Sequence, residues 1–434
     1  MATSMRVLEK KDSTDSRVCR VALLGFGTVG SAVARLLEAR KGEHSLQLVQ
    51  VCNRDVARKK VDWVASDVDW TEDVDSVLSS KDIDVLAELV GGVKPAYDWV
   101  RKALESGKSV VTANKQLIAH HGTELVQLAN QNGVHLLFGA SVAGGIPVLS
   151  GLHEGLGGDR LFRVSGILNG TCNYILTRIE KAGISFAEAL VEAQKAGFAE
   201  ADPTDDVDGY DARAKLVILA RMGLHAEVKV NDVHCGSIRP LTSVDFEYAH
   251  ELGCTIRQVS RAELKDGNLF AAVEPALVTQ ESPLASVSGS QNLVVSTGEF
   301  GGETVFSGYG AGGNPTAVAV VSDLIQIARS HAGEPTDLEQ QVFKPYHASS
   351  DFESSYYVRF VVKDKVGIIA ALAGVFSKYH INLDSVLQKP GYNKSELPFV
   401  ITLEPCKRSL LQKALAEIEA FDFLVGKPVA MPAL

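Results

Sequence analysis

The run Val18-Cys19-Arg20-Val21-Ala22-Leu23-Leu24-Gly25-Phe26-Gly27-Thr28-Val29-Gly30 decides the architecture. Its first seven residues form a short, mostly apolar stretch suited to a buried parallel strand. Its last six fit Gly-x-Gly-x-x-Gly. Beyond them, Val29, Val33, Leu36 and Leu37 fall on one face of a helix. Such a glycine triplet says little alone, but between a strand and a helix it points to a dinucleotide-binding βαβ unit. Gly25 allows the tight turn, Gly27 lets backbone approach a pyrophosphate, and Gly30 permits close helix packing. The helix N-terminus offers free N–H groups to phosphate. Phe26, Thr28 and Val29 complete the loop, so residues 25–30 are all candidate cofactor contacts.

Working outward, Leu46–Val51, Asp84–Val90 and Ser109–Thr112 read as further strands with helices between. That alternation predicts an α/β, Rossmann-type, doubly wound nucleotide domain. Its second strand ends Val51-Cys52-Asn53-Arg54-Asp55. An acid at this end usually binds the ribose 2′-OH of NAD. Arg54 would instead suit a 2′-phosphate, so NADP is expected, while Asp55 leaves NAD open. Lys59 and Lys60 read as a solvated helix start.

From about residue 140 small residues crowd the chain. A strand over Phe162–Leu168, a helix over Ser185–Ala196, an acidic loop over Gly197–Gly209 and a helix over Tyr210–Met222 follow. Strands Ile256–Ser260, Leu269–Val273 and Asn292–Thr297 complete an α+β substrate and dimerisation domain. A second glycine cluster, Gly308 to Gly313, precedes Asn314-Pro315, which read as N-cap and first position of a helix Thr316–Arg329. The tail reads strand Tyr356–Val362, helix Ile368–Tyr379, strands Leu383–Gln388 and Phe399–Leu403, helix Ser409–Ala420 and a last strand. This is a βαββαβ, ferredoxin-like order. The expected division is a disordered lead-in over 1–17, a nucleotide domain over 18–139 plus about 310–333, a catalytic domain over 140–309, a linker over 334–353 and a tail domain over 354–434.

The 434 residues suit two or three domains of about 150. Lys and Arg number 43 against 53 Asp and Glu, a net −10 that argues against nucleic-acid or membrane-surface partners. The six cysteines form no CxxC pair, so a zinc site has no support. Sparse cysteines and no secretory segment predict a cytoplasmic protein. The most apolar stretch, Gly133–Leu152, is broken by glycines and a histidine and reads as buried protein, not a bilayer span.

Lys115 follows the strand Ser109–Thr112, at the sheet end where open α/β folds bind ligands. The denser constellation is Glu200, Asp202, Asp205, Asp206, Asp208 and Asp211, then Lys215. Asp208, Asp211 and Lys215 are spaced to share a helix face. Spacing alone equally suits a surface pair worth only ~0.2–0.5 kcal/mol.

The whole string AQKAGFAEADPTDDVDGYDARAK, residues 193–215, resembles the signature of the homoserine dehydrogenase family. GFGTVG at 25–30, ELVGG at 88–92, TANK at 112–115, SVAGGIP at 141–147, NGT at 169–171 and GAGGNPT at 310–316 agree in order. The tail resembles an ACT domain, a small regulatory module. The resemblance implies reversible, NAD(P)-dependent conversion of L-homoserine to L-aspartate 4-semialdehyde, in threonine, methionine and isoleucine biosynthesis. It implies Lys215 as proton donor to the aldehyde oxygen, Lys115 beside it near the nicotinamide, and Asp206 supporting the lysines. Glu200 and Asp211 would bind the substrate ammonium and Thr171 would touch substrate through backbone. Gly197 and Gly312 would lie on the cofactor side. A structural sodium would rest on carbonyls of Val142, Gly144 and Ile146, although Gly139 stands where the family often has Glu. The ACT loop Asp364-Lys365-Val366-Gly367 lacks a common proline. Threonine is the expected effector, and a homodimer or homotetramer the expected assembly. A dehydrogenase for another amino-acid semialdehyde, and a dinucleotide-sensing regulatory protein, are the alternatives.

Overall fold

The computed structural model describes residues 18–331 and 343–434. The expected lead-in over 1–17 and residues 334–342 of the expected linker lie outside the described residues. The first unit alternates β1 (Cys19–Leu24), α1 (Thr28–Ala39), β2 (Leu46–Cys52), α2 (Val56–Lys59), β3 (Asp69–Thr71), α3 (Val74–Ser79), β4 (Val85–Glu88), α4 (Ala96–Glu105), β5 (Ser109–Thr112), α5 (Lys115–Gln131) and β6 (Leu136–Leu137). The six strands pair in parallel in the order β3-β2-β1-β4-β5-β6. Parallel sheets need cover on both faces. One face packs against Val100, Leu104, Leu117 and Ile118 of α4 and α5. The other packs against α1 through Val33 and Leu37.

The second unit holds α6 (Val148–Ser150), β7 (Leu161–Ile167), α7 (Gly170–Ala182), α8 (Phe186–Lys195), α9 (Thr204–Val207), α10 (Tyr210–Leu224), β8 (Ala226–Glu227), β9 (His234–Cys235), α11 (Ser243–Glu251), β10 (Cys254–Lys265), β11 (Asn268–Thr279), β12 (Gln291–Gly298) and β13 (Gly302–Tyr309). Then α12 (Gly313–His331) returns to the first unit. Its Ala317, Val320, Val321, Leu324 and Ile327 join the core that holds α1. This helix starts earlier than the sequence suggested. Thr316 N–H donates to the Gly312 carbonyl at 3.1 Å, so Asn314 and Pro315 lie inside the first turn. There proline's missing N–H has no helical partner to lose.

The stretch read as a linker is structured from residue 343. The short strands β14 (Lys344–Pro345) and β15 (Ala348–Ser349) pair in parallel with β8 and β11. The tail follows as β16 (Glu353–Val362), α13 (Ile368–Lys378), β17 (Leu383–Leu387), β18 (Leu397–Lys407), α14 (Arg408–Ile418) and β19 (Val429–Ala433). Its core joins Val358, Phe360 and Phe399 of the sheet to Leu372, Phe376 and Leu411 of the helices.

The tail is not a separate bead. Its sheet runs on into that of the second unit, in the path β13-β12-β7-β10-β11-β19-β16-β18-β17. The join is Ala433 beside Leu277 of β11. An ion pair also fixes it. The fully buried Asp245 of α11 accepts from Arg359 Nε at 2.7 Å and Tyr357 Oη at 3.0 Å, both on β16. Its other oxygen caps its own helix by accepting the Thr242 N–H at 2.8 Å. No helix among the described residues is long and apolar enough to cross a membrane.

Candidate active site

The site forms where α5 of the nucleotide unit meets α10 of the second unit. Asn114 closes the turn after β5. Its side-chain oxygen accepts the Leu117 N–H at 3.1 Å, while its amide donates to the Gly92 carbonyl at 2.6 Å. This cap puts Lys115 at the first position of α5. On the other side Gly209, with φ +86°, breaks α9 from α10. Asp211 and Lys215 are then one turn apart on α10, and both are buried.

One carboxylate gathers the group. Asp211 Oδ1 lies 2.6 Å from Lys115 Nζ, and Asp211 Oδ2 accepts from Lys215 Nζ at 2.7 Å. Lys215 also donates to the Leu168 carbonyl at 2.8 Å. Asn169 completes the network. Its amide donates to Asp206 Oδ1 at 2.6 Å and Asp211 Oδ2 at 2.9 Å, while its oxygen caps α7 through the Cys172 N–H.

Charge follows this geometry. Burial works against the Asp211 carboxylate, but the two ammonium groups prevail and hold it far below the usual carboxylate range. Burial also opposes the Lys115 ammonium, and Asp211 outweighs it, so Lys115 is raised. Asp206 is raised, first by burial and then by its like-charged neighbour Asp211, against the Asn169 hydrogen bond.

The other predicted residues divide. Thr171 is buried at the start of α7 and its hydroxyl donates to the Phe198 carbonyl at 2.8 Å. Gly197 has φ +77° in the exposed turn after α8, and Glu200 is exposed beyond it. Asp208 does not share the face of Asp211 and Lys215. It precedes the break at Gly209, and its carboxylate accepts from Ser237 Oγ at 2.6 Å and Arg239 Nε at 3.1 Å. Asn169 was missed as a site residue, although an Asn before the helix beginning Gly170-Thr171 is an N-cap signal. Glu88, fully buried at the end of β4, is a second supporting residue. It accepts from Thr112 Oγ1 and from the Val90 and Gly91 N–H groups, holding the loop beside the fingerprint.

The dinucleotide cradle fits its proposed cargo. A Cβ at Gly30 would lie 2.1 Å from the Gly25 carbonyl oxygen, whereas at Gly27 it would meet nothing within 4 Å. No side chain caps the N-terminus of α1, which begins at Thr28 and Val29. Phe26 differs, because its N–H donates to Asn53 Oδ1 at 3.1 Å. Gly312, with φ +119°, opens α12 near α1, where a Cβ on Gly313 would touch Thr28. Arg54 is exposed at the end of β2. Asp55 is spent as the cap of α2, accepting the Arg58 N–H at 3.1 Å.

The loop over Val142, Gly144 and Ile146 is tightly turned, with positive φ at Ala143 and Gly144. Ile146's carbonyl already accepts the Val148 N–H at 2.7 Å. Gly139 has no room for a side chain, since a Cβ would lie 2.8 Å from Asp323 Oδ1. No cluster of three or more His, Cys, Asp or Glu side chains arranged for a metal occurs among the described residues.

Comparison with known proteins agrees with this layout. Family models match residues 25–139 (homoserine dehydrogenase, NAD binding domain), 147–325 (homoserine dehydrogenase) and 356–423 (ACT domain). A homoserine dehydrogenase of Pseudomonas aeruginosa is 36% identical over 426 residues, covering 94% of this chain and 97% of that one. The crystal structure of a homoserine dehydrogenase from Thiobacillus denitrificans superposes with a TM-score of 0.87 at 32% identity, over 96% of this chain and 98% of that one. A hyperthermophilic archaeal homoserine dehydrogenase mutant in complex with NADPH matches with a TM-score of 0.62 at 25% identity, over 72% of this chain and 98% of that one.

Proposed function

The chain belongs to the homoserine dehydrogenase family, and from that premise we propose how its own residues carry the reaction and which cofactor they favour. It is an oxidoreductase on a CH–OH group, interconverting L-homoserine and L-aspartate 4-semialdehyde in amino-acid biosynthesis. The bound nicotinamide dinucleotide supplies hydride transfer.

Everything else falls to the protein. As hydride leaves the carbinol carbon, the hydroxyl proton must leave its oxygen. In reverse, alkoxide charge develops and needs a donor. Lys215 is assigned that proton at Nζ, which takes it as the neutral amine in homoserine oxidation and gives it as the ammonium in aldehyde reduction. Lys115 stands beside it as a second cation facing the reacting oxygen. Asp211 holds both ammonium groups, and Asp206 and Asn169 brace Asp211. With both Asp211 oxygens engaged by the lysines, the exposed Glu200 is the better acceptor for the substrate ammonium, and Thr171 orders the adjacent backbone. The observation that carries this reading is the single carboxylate shared by two lysines at 2.6 and 2.7 Å.

For the cofactor, NADP is preferred. Asp55 is occupied in capping α2, Asn53 in holding Phe26, and Arg54 is exposed for a 2′-phosphate. A related archaeal enzyme crystallised with NADPH supports the same choice. A sodium ion would have only backbone carbonyls of Val142, Gly144 and Ile146, and no step rests on it. Threonine as ACT effector, a homodimeric or homotetrameric assembly and a cytoplasmic location complete the proposal.

The test is homoserine-dependent reduction of NADP⁺ and NAD⁺ by wild type and Lys215→Ala. Lys215→Ala should lose turnover and keep its affinity for NADPH. Retained turnover removes Lys215 from the mechanism.

A further inference from the structure

Arg221 is the largest fully buried side chain described in the protein, and the reaction gives it no task. It lies six residues beyond Lys215 on α10, yet much of its hydrogen bonding goes to α5. Nη1 donates to the Ile118 carbonyl at 2.7 Å and Nη2 to the Ala119 carbonyl at 3.4 Å. Nε and Nη2 also grip Glu227 of β8 at 2.6 and 3.0 Å, a forked pairing that fixes the plane of the guanidinium. Glu227 in turn accepts from Thr123 Oγ1 on α5.

These carbonyls belong to the first turns of a regular helix, where side chains normally keep a cation from the backbone. Gly122 removes that barrier. A Cβ there would stand 2.4 Å from Arg221 Nη1. The contact therefore needs Gly122, Arg221 and Glu227 together. Ile118 is three residues from Lys115 on one helix, and Arg221 is six from Lys215 on the other. Among the described residues, the ion pair that joins these two helices directly is Lys115 with Asp211.

We propose that Arg221, held by Glu227 and admitted by Gly122, is a positioning residue that sets α5 against α10 and so fixes the Lys115–Asp211–Lys215 spacing for hydride transfer. This rests on the roles assigned to the two lysines. Lys115 comes from the unit that binds the cofactor and Lys215 from the unit that binds the substrate. A fixed distance between the helices is therefore a fixed distance between the reactants.

Gly122→Ala in the full-length enzyme is the test. Alanine is the better helix former, so α5 is not weakened, and the new methyl group meets the movable end of Arg221. NADPH affinity should be unchanged, kcat should fall about tenfold or more, and the pH profile of kcat should shift as the lysines leave their shared carboxylate. Arg221→Lys, which keeps the charge but not the fork, should reproduce both changes. Wild-type kcat in Gly122→Ala, a kcat loss with an unshifted pH profile, or a loss accounted for by fewer NADPH-binding sites each overturns the proposal. Lys115→Ala and Lys215→Ala separate the two levels. If both turn over normally, the lysine roles fail and the clamp has nothing to position. If both are inactive while Gly122→Ala is unchanged, only the clamp fails.

Discussion

Replacing Asp211 with Asn keeps the shape at the centre of the site and removes its charge. The carboxylate takes three donors between 2.6 and 2.9 Å, and its side chain is 9% exposed. At about 2.7 Å and an effective dielectric near 20, each ammonium–carboxylate attraction is about 6 kcal/mol. Much of that offsets the cost of taking the charges out of water, and removing one partner of a buried pair costs about 3–5 kcal/mol. Lys115's side chain is 38% exposed, so solvent screens its share, whereas Lys215 at 11% is shielded. The asparagine keeps one acceptor. The low end, about 3 kcal/mol, is therefore expected. In a domain of this size that is a fall in melting temperature of roughly 6–12 °C. The sign with pH is fixed, because the native carboxyl lies far below its unfolded value of about 3.9. The stabilisation is fully present above that value and is lost as the pH falls below it. The gap between wild type and Asp211→Asn should be constant from about pH 5 to 8. Calorimetry across that range, with kcat from NADP⁺ reduction, is the assay. A melting temperature within about 2 °C of wild type, or turnover close to wild type, would refute the central role given to this carboxylate.

Three other expectations follow from particular contacts. Gly30→Ala would push a methyl group into the Gly25 carbonyl, so NADPH affinity measured by fluorescence titration should fall more than about tenfold, ~1.4 kcal/mol. Unchanged affinity would show that the loop tolerates side chains. Arg359→Met would leave the buried Asp245 without its cation, at a cost of about 3–5 kcal/mol in calorimetry. No loss would mean that the Tyr357 and Thr242 hydrogen bonds suffice. Asp323 has its carboxyl pushed up to about 7 by burial, against the Gly139 N–H that it accepts. Folded protein then keeps a proton that unfolded chain loses above about pH 4, so the carboxyl group costs stability increasingly up to pH 7. Asp323→Asn should therefore gain melting temperature over wild type between pH 5 and 8. A gap that narrows over that interval contradicts the sign.

Sequence reading was strongest where one physical signal dominated. The boundaries of β5 at Ser109 and Thr112 were found because a strand buried on both faces is one apolar run bounded by polar residues. β10 and β11 were seen only in part. Arg257, Gln258, Ser260 and Glu263 interrupt the apolar pattern of β10, and Arg257 and Glu263 are accommodated by ion pairs with Glu180 and Arg261. β13 was missed because it is an edge strand with exposed Glu303 and Ser307 and with glycines at 302 and 308. In the site, Asp206, Asp211 and Lys215 came from the long signature and Lys115 from TANK at 112–115, and the fold brings these side chains together. The place of Asp208 was misread by counting three and four residues across a helix break at Gly209. Arg221 carried no sequence signal at all, since two of its acceptors are backbone oxygens about a hundred residues away.

The outer edge of β11 is closed by three separate pieces of chain: β15 at Leu269 and Phe270, β9 at Ala272 and Val273, and β19 at Leu277. On the ribosome these arrive at very different times. β9 is already made when β11 emerges, but Ala433 follows Leu277 by about 150 residues, roughly 8–30 s of translation at ~5–20 residues per second. For that interval the far end of β11 is an open template for strand pairing with other nascent chains. Pro275, which has no N–H to offer, stands between the parts closed early and late. The chain thus carries a blunting residue where its longest wait for a partner begins.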